Sequence, residues 1–419
     1  MNILLLSKLA WRYVFGKRRA NATTILSRIS MVAIAVASAA MIILFSVFNG
    51  FEALVKDLYK AFYPDLKISV VKGKFFNLQD LDIKYIANLK GVAALSFIIE
   101  DNVLAKEDNL SVNSKDNQKM LTPTLKGIDK YYFKVNDIHK YLLYGGADSV
   151  SEGNPNTALL GKNILLDLGA DVNNVFSFIL LYYPNPTVTN PEADPANAYQ
   201  TLRLHPSGAF KVEEEFDNKY ILAPFSLAQK LFHEEGKYSS IEIKAAPEYL
   251  DELKKQIQLH LGTNYEVATR YEQNKTIYMV MNAEKWAVYA ILLLVLIIAS
   301  FNMVGALSML VLEKQKDIAI LKAMGMKHTE IRVLFLMEGM LWSLSGGIIG
   351  IILGCSICFL QLQFKIIKLK GFLIDSYPVK MELTDILLVV VTIICVGLFA
   401  AIYPAVKAAK TFDVTLKTA

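Results

Sequence analysis

The stretch ISMVAIAVASAAMIILFSVF, Ile29 to Phe48, contains no Asp, Glu, Lys or Arg. Its length at ~1.5 Å per residue matches the ~30 Å hydrocarbon core of a bilayer. Three more charge-free runs follow, but only after residues 49–285: Trp286 to Leu312, Gly339 to Phe364 and Ile386 to Val406. One such run could be a buried helix of a soluble protein. Four of spanning length, with charges at their margins, predict four membrane-spanning helices in a one-plus-three order. A hydrophobic content of 54% and a positive mean hydropathy agree, averaging an apolar membrane part with an ordinary polar domain. The net charge of +5 is modest and lies in short segments beside the runs, so it calls for no nucleic acid.

Those segments set the expected orientation. Lys8, Arg12, Lys17, Arg18, Arg19 and Arg28 precede the first run with no acidic residue among them, which keeps the N-terminus cytoplasmic. Residues 1–28 then read as an amphipathic segment on the membrane surface, with Leu5, Leu6, Leu9, Trp11 and Phe15 toward lipid, and not as a cleavable signal. By alternation, residues 49–285 are periplasmic, 313–338 a cytoplasmic segment, 365–385 a short periplasmic loop and 407–419 a cytoplasmic tail. The loop carries four lysines against the rule, offset by three acidic residues. The fold class is thus an integral membrane α-helical protein with a large α+β periplasmic domain.

Cys355, Cys358 and Cys395 all fall inside apolar runs, where they read as small packing residues, so no disulfide framework is expected. His139, His205, His233, His260 and His328 share no metal-ligand spacing, and no metal or cofactor is expected. In the polar domain, alternation predicts strands at 66–71, 92–105, 175–182, 200–204, 220–223 and 239–244. Helices are predicted from Asn77, over 159–168 up to Gly169, and after Pro224 and Pro247. The pattern suggests a β-rich region split by a second α+β lobe. Between two strands lies Tyr183 to Tyr199 with Pro184, Pro186, Pro191 and Pro195. Pro cannot donate to a sheet ladder, so this segment projects as a loop or irregular hairpin, either functional or disordered.

The cytoplasmic segment from Glu313 to Gly325, EKQKDIAILKAMG, has strong helix propensity and a glycine stop. Ile318, Leu321 and Met324 fall on one face, with Lys316 and Asp317 off it. It reads either as a surface helix or as a coupling helix that seats in a groove of a cytoplasmic partner. The third run carries Gly346, Gly350 and Gly354 at four-residue intervals, with Gly339, Ser343 and Gly347 as a second small-residue row. Such rows let helix backbones approach, within one subunit or between two.

Arg18-Arg19, Val47-Phe48-Asn49-Gly50-Phe51, Phe301-Asn302-Met303-Val304, the segment Glu313 to Gly325 and Tyr403-Pro404-Ala405 together resemble the lipoprotein-releasing (Lol-type) permeases. Phe225 to Phe232 and Ser240 to Lys244 are similar to the periplasmic domain of the same family. These proteins belong with the FtsX-like and MacB-like ABC permeases. The resemblance implies a permease pair, of like or unlike subunits, bound to a separate cytoplasmic ABC ATPase. The pair moves acylated lipoproteins from the inner membrane to a periplasmic lipoprotein carrier. It further implies ATPase-coupling residues at Glu313, Lys316, Asp317, Ile318, Leu321, Lys322, Met324 and Gly325. Lipoprotein acyl chains would be held near Phe45, Phe48, Asn49, Phe51, Phe301, Asn302 and Met303, taken to lie at the outer ends of the first two spans. A carrier-binding hook would include Tyr183, Pro184, Pro186 and Pro191.

No Gly-Lys pair is followed by Ser or Thr in a phosphate-binding loop, so the chain is not itself an ATPase. Two other readings keep the topology: an exporter of macrolides or peptides, and a signalling permease that acts on a cell-wall hydrolase. An intramembrane enzyme fits least, because the runs lack ionisable groups for chemistry in lipid.

Overall fold

A computed structural model of the chain describes residues 22–108, 119–146, 150, 156–185, 188, 197–368 and 376–410. Most of the amphipathic N-terminal segment, Pro186, Pro191, Pro195 and the end of the C-terminal tail lie outside the described residues. Among those described, four helices are long and apolar enough to cross a membrane: Ile25–Tyr59, Lys275–Glu313, His328–Phe364 and Leu383–Ala409. Each overruns its charge-free run. Charges end the stretch that can sit in hydrocarbon, but the backbone bonds stay within the helix and continue into water. The third helix thereby takes in Glu338, which is fully buried.

The chain divides into two compact units, Val55–Tyr278 and a helical unit made by the rest. In the helical unit, the glycine rows of the third helix decide the packing. A Cβ at Gly346, Gly350 or Gly354 would come within 2.7, 2.3 and 2.9 Å of the first helix, at Met31, Ala35 and Ile42. The second row faces the fourth helix: a Cβ at Gly339 would meet Ala401 at 2.5 Å, and one at Gly347 would meet Ile393 at 2.9 Å. Both rows are therefore used inside this chain, which resolves the choice left open by the sequence. The third helix sits between the first and the fourth at near-backbone contact. Ile34, Met41, Phe45, Leu296, Met303, Trp342, Val389 and Ile393 fill the apolar core.

In the other unit one hydrogen-bonded path takes in the described strands except Leu142–Tyr144, which pairs with Tyr199–Phe210, and the separate pair Phe76–Asn77 and Lys237–Tyr238. From one edge the path runs Tyr265–Thr269, Leu66–Val70, Ser240–Ala245, Val92–Asn102, Thr124–Ile128, Tyr220–Pro224, Thr157–Gly161, Tyr199–Phe210, Ile179–Pro184, Leu104–Glu107 and Met120–Leu121. The expected two lobes join in this single path. Leu159 to Gly161, expected as the start of a helix, belong to a central strand, Thr157–Gly161, and the helix covers only Lys162–Asp167. Buried on both faces, it lacks the alternation that marks a strand. The cap expected at Asn77 is instead at Asp82, whose side chain accepts the Tyr85 N–H.

A buried charge cluster crosses the middle of this sheet. Glu100 lies directly across the ladder from Lys126. The Lys126 Nζ is 2.7 Å from Glu242 Oε1, and both residues are almost wholly buried. Lys67 closes the cluster toward solvent at 2.9 Å from Glu100. Burial alone would raise the Glu100 pKa, but Lys67 and Lys126 together hold it down to about 2.

Two outcomes test this packing. Lys126→Met leaves Glu242 buried without its cation and should destabilise the sheet unit by ~3–5 kcal/mol, read as earlier thermal unfolding and faster proteolysis. Because the Glu100 pKa is depressed, its contribution is complete above ordinary carboxylate pH and should be lost as pH falls toward 2. In the helical unit, Gly350→Ala should lower the melting temperature of the detergent-solubilised protein. Gly305→Ala, where the Cβ position is open, should not.

Candidate functional site

At the end of the helical unit where the first helix leaves its apolar run, the Asn49-Gly50-Phe51 motif is engaged residue by residue. Asn49 is 3% exposed, and its Nδ2 donates to Asp385 Oδ2 at 2.5 Å. Lys285 Nζ donates to Asn49 Oδ1 at 2.9 Å and lies 3.1 Å from Asp385 Oδ1. At Gly50 a Cβ would lie 2.4 Å from the Pro378 carbonyl, so glycine is what lets the segment before the fourth helix lie against the first. The Lys380 N–H donates to the Ser46 carbonyl, and the Phe51 ring meets Tyr377 edge-on at 5.1 Å. One turn deeper, Phe45 is buried with its ring 6.0 Å from that of Tyr289. Phe48 is half-buried.

The second group expected at this site is elsewhere. Met303 is buried beside Ser30, Met31, Ile34 and Trp342, near the start of the first helix. It lies fourteen residues beyond Tyr289, about 21 Å along the helix at ~1.5 Å per residue. Phe301 and Asn302 are exposed on the outer face of the same helix. The grouping expected at the outer ends is thus corrected: Phe45, Phe48, Asn49 and Phe51 share one end, while Phe301, Asn302 and Met303 lie toward the other. Antiparallel spans reverse depth along the chain, so residues early in the second span, not late in it, stand beside the end of the first.

Lys285 and Asp385 were missed as site residues. The signal was present, since each immediately precedes an apolar run, at Trp286 and Ile386, and opposite charges at one level of a bundle can pair.

The connecting helix covers Gln315–Ala323. It ends as the glycine predicts, with Gly325 at φ +93 and the Met326 N–H returned to the Leu321 carbonyl. Its apolar residues do not form one outward face. Ile318 is 5% exposed and packs on Leu310, Ile331, Phe335 and Ala405 of its own bundle. Leu321 is half-buried beside it. Outward are Met324 at 79% and Ile320 at 60%, with Glu313 and Lys316 also exposed. Asp317 is 2.7 Å from Lys314, and Lys322 is half-buried.

In the sheet unit, strands Ile179–Pro184 and Tyr199–Phe210 pair antiparallel, with Tyr199 opposite Pro184 and Gln200 opposite Tyr183. The Pro-rich segment is therefore the connection of a hairpin. The Asn185 N–H still reaches the Ala198 carbonyl at 2.9 Å. Tyr183 belongs to the base: its ring packs 4.8 Å from Phe232 and its hydroxyl donates to Asp101 at 2.8 Å. Burial and the Asp101 carboxylate both raise the phenol pKa. Pro184 is exposed at the strand end. Among the described residues no cluster of His, Cys, Asp or Glu could hold a metal ion.

Comparison with known proteins gives this arrangement a family. Residues 27–259 match the MacB-like periplasmic core domain, and residues 289–411 the C-terminal domain of the FtsX-like permeases. The chain belongs to the MacB/FtsX-like family of ABC permeases. It is similar end to end to lipoprotein-releasing system transmembrane proteins. One relative is LolE of Haemophilus influenzae, 24% identical over 96% of both chains. Others are LolC of Xylella fastidiosa, 24% identical over 95% of each, and LolC of Neisseria meningitidis, 23% identical over 96% of this chain and 97% of its own. With four apolar helices among the described residues and this similarity, the permease is a multi-pass protein of a bacterial inner membrane, and its sheet-rich unit is a periplasmic-type domain.

Proposed function

We propose that the chain is the permease subunit of an ABC transporter that extracts acylated lipoproteins from the inner membrane and passes them to a periplasmic carrier, with ATP hydrolysed in a separate subunit. The observation that carries this reading is the end-to-end similarity to lipoprotein-releasing proteins, which spans both units and the segments between them. Energetics call for the partner. Lifting acyl chains from a bilayer costs ~0.8 kcal/mol per CH₂, so a multiply acylated protein needs an external energy source. An exporter reading would require the periplasmic unit to grip an adaptor instead of a carrier. A hydrolase-regulating reading would require no cargo at all.

In this reading the spans form the one-plus-three arrangement with both termini cytoplasmic, supported by the basic segment before the first run. The end at Asn49, Lys285 and Asp385 is then periplasmic and the Glu313 end cytoplasmic. Acyl chains lie along the outer part of the first span, where Phe48 offers a half-exposed apolar surface. A second permease copy, identical or related, pairs with this one. The segment between Asn185 and Asn197 hooks the carrier, supported by the paired strands at its base, which Tyr183 fixes to the domain core.

A photo-crosslinker at Phe48 should capture an acylated protein before ATP is added and lose it once ATP and carrier are supplied. Crosslinks to phospholipid alone, with and without ATP, would count against lipoprotein cargo.

The connecting helix supports a specific contact with the ATPase through Ile320 and Met324, because Ile318 is already used within the bundle. Met324→Asp should cut ATPase co-purification by tenfold or more, since ~1.4 kcal/mol suffices for a factor of ten and a charge buried at a contact costs more. Ile318→Asp should instead lower the yield of folded permease. Equal co-purification with Met324→Asp and the native residue would remove this helix face from the contact.

A further inference from the structure

The polar cluster at the Asn49 end forms a closed triangle of Asn49, Lys285 and Asp385. Asn49 stands on the first spanning helix, Lys285 on the second and Asp385 on the fourth, and every pair of the three is in direct polar contact. We propose that this triangle is a latch that holds the outer ends of these three helices together and must exchange its partners for water, or for polar groups of cargo, whenever that end of the bundle opens. The inference rests on the reading of the chain as a permease and on nothing about what it carries.

The argument begins with what the triangle is not needed for. Packing between the third helix and its neighbours is already secured by the glycine rows. Apolar side chains at the triangle's three positions would join the helices without any desolvation cost, and such replacements of buried ion pairs are often neutral or stabilising. A polar contact differs in being directional and in having a second acceptable state. Lys285 keeps about a quarter of its side chain exposed and is followed by the half-exposed Trp286, an interfacial residue type. Water is therefore within reach of the ammonium. Closed, the charges pair in a poorly hydrated site; opened, each can be hydrated at the bilayer edge. Two discrete states of this kind suit an element that must hold and release.

The surroundings are arranged to make the closed state depend on the triangle. Phe45 lies beneath the Lys285 ammonium, 5.8 Å from ring centre to nitrogen, and seals it from the bundle interior. One turn deeper, Tyr289 Oη and Thr392 Oγ1 are 2.9 Å apart and join the second and fourth helices again. The segment before the fourth helix is tied to the first at Ser46 and Gly50. The first and second helices, by contrast, meet at this end through Asn49 with Lys285 and Phe45 with Tyr289. Losing the triangle should free that seam first.

The test is a distance measurement on the full chain in nanodiscs, without cargo, using spin labels at Leu44 and Ile291 on the exposed faces of the first and second helices. The native residues should give a single narrow distribution. Asp385→Asn, nearly isosteric, and Lys285→Met should each add a longer-distance population while the protein remains monodisperse. The exchanged pair, Lys285→Asp with Asp385→Lys, should restore the narrow distribution, because the Asn49 amide can turn over and offer its donor and acceptor the other way round. That rescue separates a latch from simple loss of packing.

Unchanged distances in both single variants would overturn the proposal. So would failure of the exchanged pair to restore them. Failure of the lipoprotein reading would look different: Phe48 crosslinks to phospholipid alone, with the latch distances behaving as stated.

Discussion

The helical unit depends on the missing side chains of the third spanning helix. Between hydrocarbon and a second helix there is little hydrophobic gain, so association rests on how closely surfaces fit. Gly346, Gly350 and Gly354 bring the first helix to backbone contact, and Gly339 and Gly347 make room for the Ala401 and Ile393 side chains of the fourth. With the third helix wedged in this way, Ser343 reaches the Ile393 carbonyl at 3.3 Å across the same interface. Neighbouring helices fixed at this spacing leave specificity at their ends to polar groups.

Those polar groups sit where a bilayer permits them. Asn49, Lys285 and Asp385 lie at the margins of the apolar runs, and the next polar tie, Tyr289 with Thr392, is a hydroxyl pair one turn in. Buried charge in the sheet unit follows another logic. Lys126, Glu100 and Glu242 stand across adjacent strands, and slipping the register by one residue would turn them to the opposite face, away from each other. The cluster costs desolvation but favours one pairing of strands, a use of buried charge for which register is the best-attested case.

What the sequence disclosed depended on periodicity. The apolar runs and the glycine stop at Gly325 were legible because each is a local signal. Strands such as Leu66–Val70 and Ser240–Ala245 were found from alternation and β-branched residues. Thr124–Ile128 and Thr157–Gly161 were not, because strands buried on both faces show no alternation and are too short to separate from helix. The hairpin was legible in outline only: prolines marked the connection, while the role of Tyr183 in its base depends on Phe232 and Asp101, both distant in sequence. Likewise, depth runs in opposite directions along antiparallel spans, so Phe301, Asn302 and Met303, late in the second span, lie away from the end that carries Asn49.

The connecting helix shows why an apolar stripe does not by itself name a partner. A helix lying against its own bundle must bury one side and can offer only the other. Ile318, Leu321 and Met324 share a face by sequence spacing, yet that face straddles the boundary: Ile318 is inside, Leu321 on the rim and Met324 out. The outward surface is completed by Ile320, which spacing assigned to no stripe. A push received at Ile320 and Met324 would pass through Ile318 into Ile331 and Phe335 of the third helix and Ala405 of the fourth, because those side chains pack as one cluster. The third helix in turn is in backbone contact with the first along its glycine row, so a displacement at the Glu313 end meets no soft layer before it reaches the helix that carries Asn49. Close packing by glycine, which serves association in lipid, thus also sets the third helix directly between the cluster under the connecting helix and the first helix.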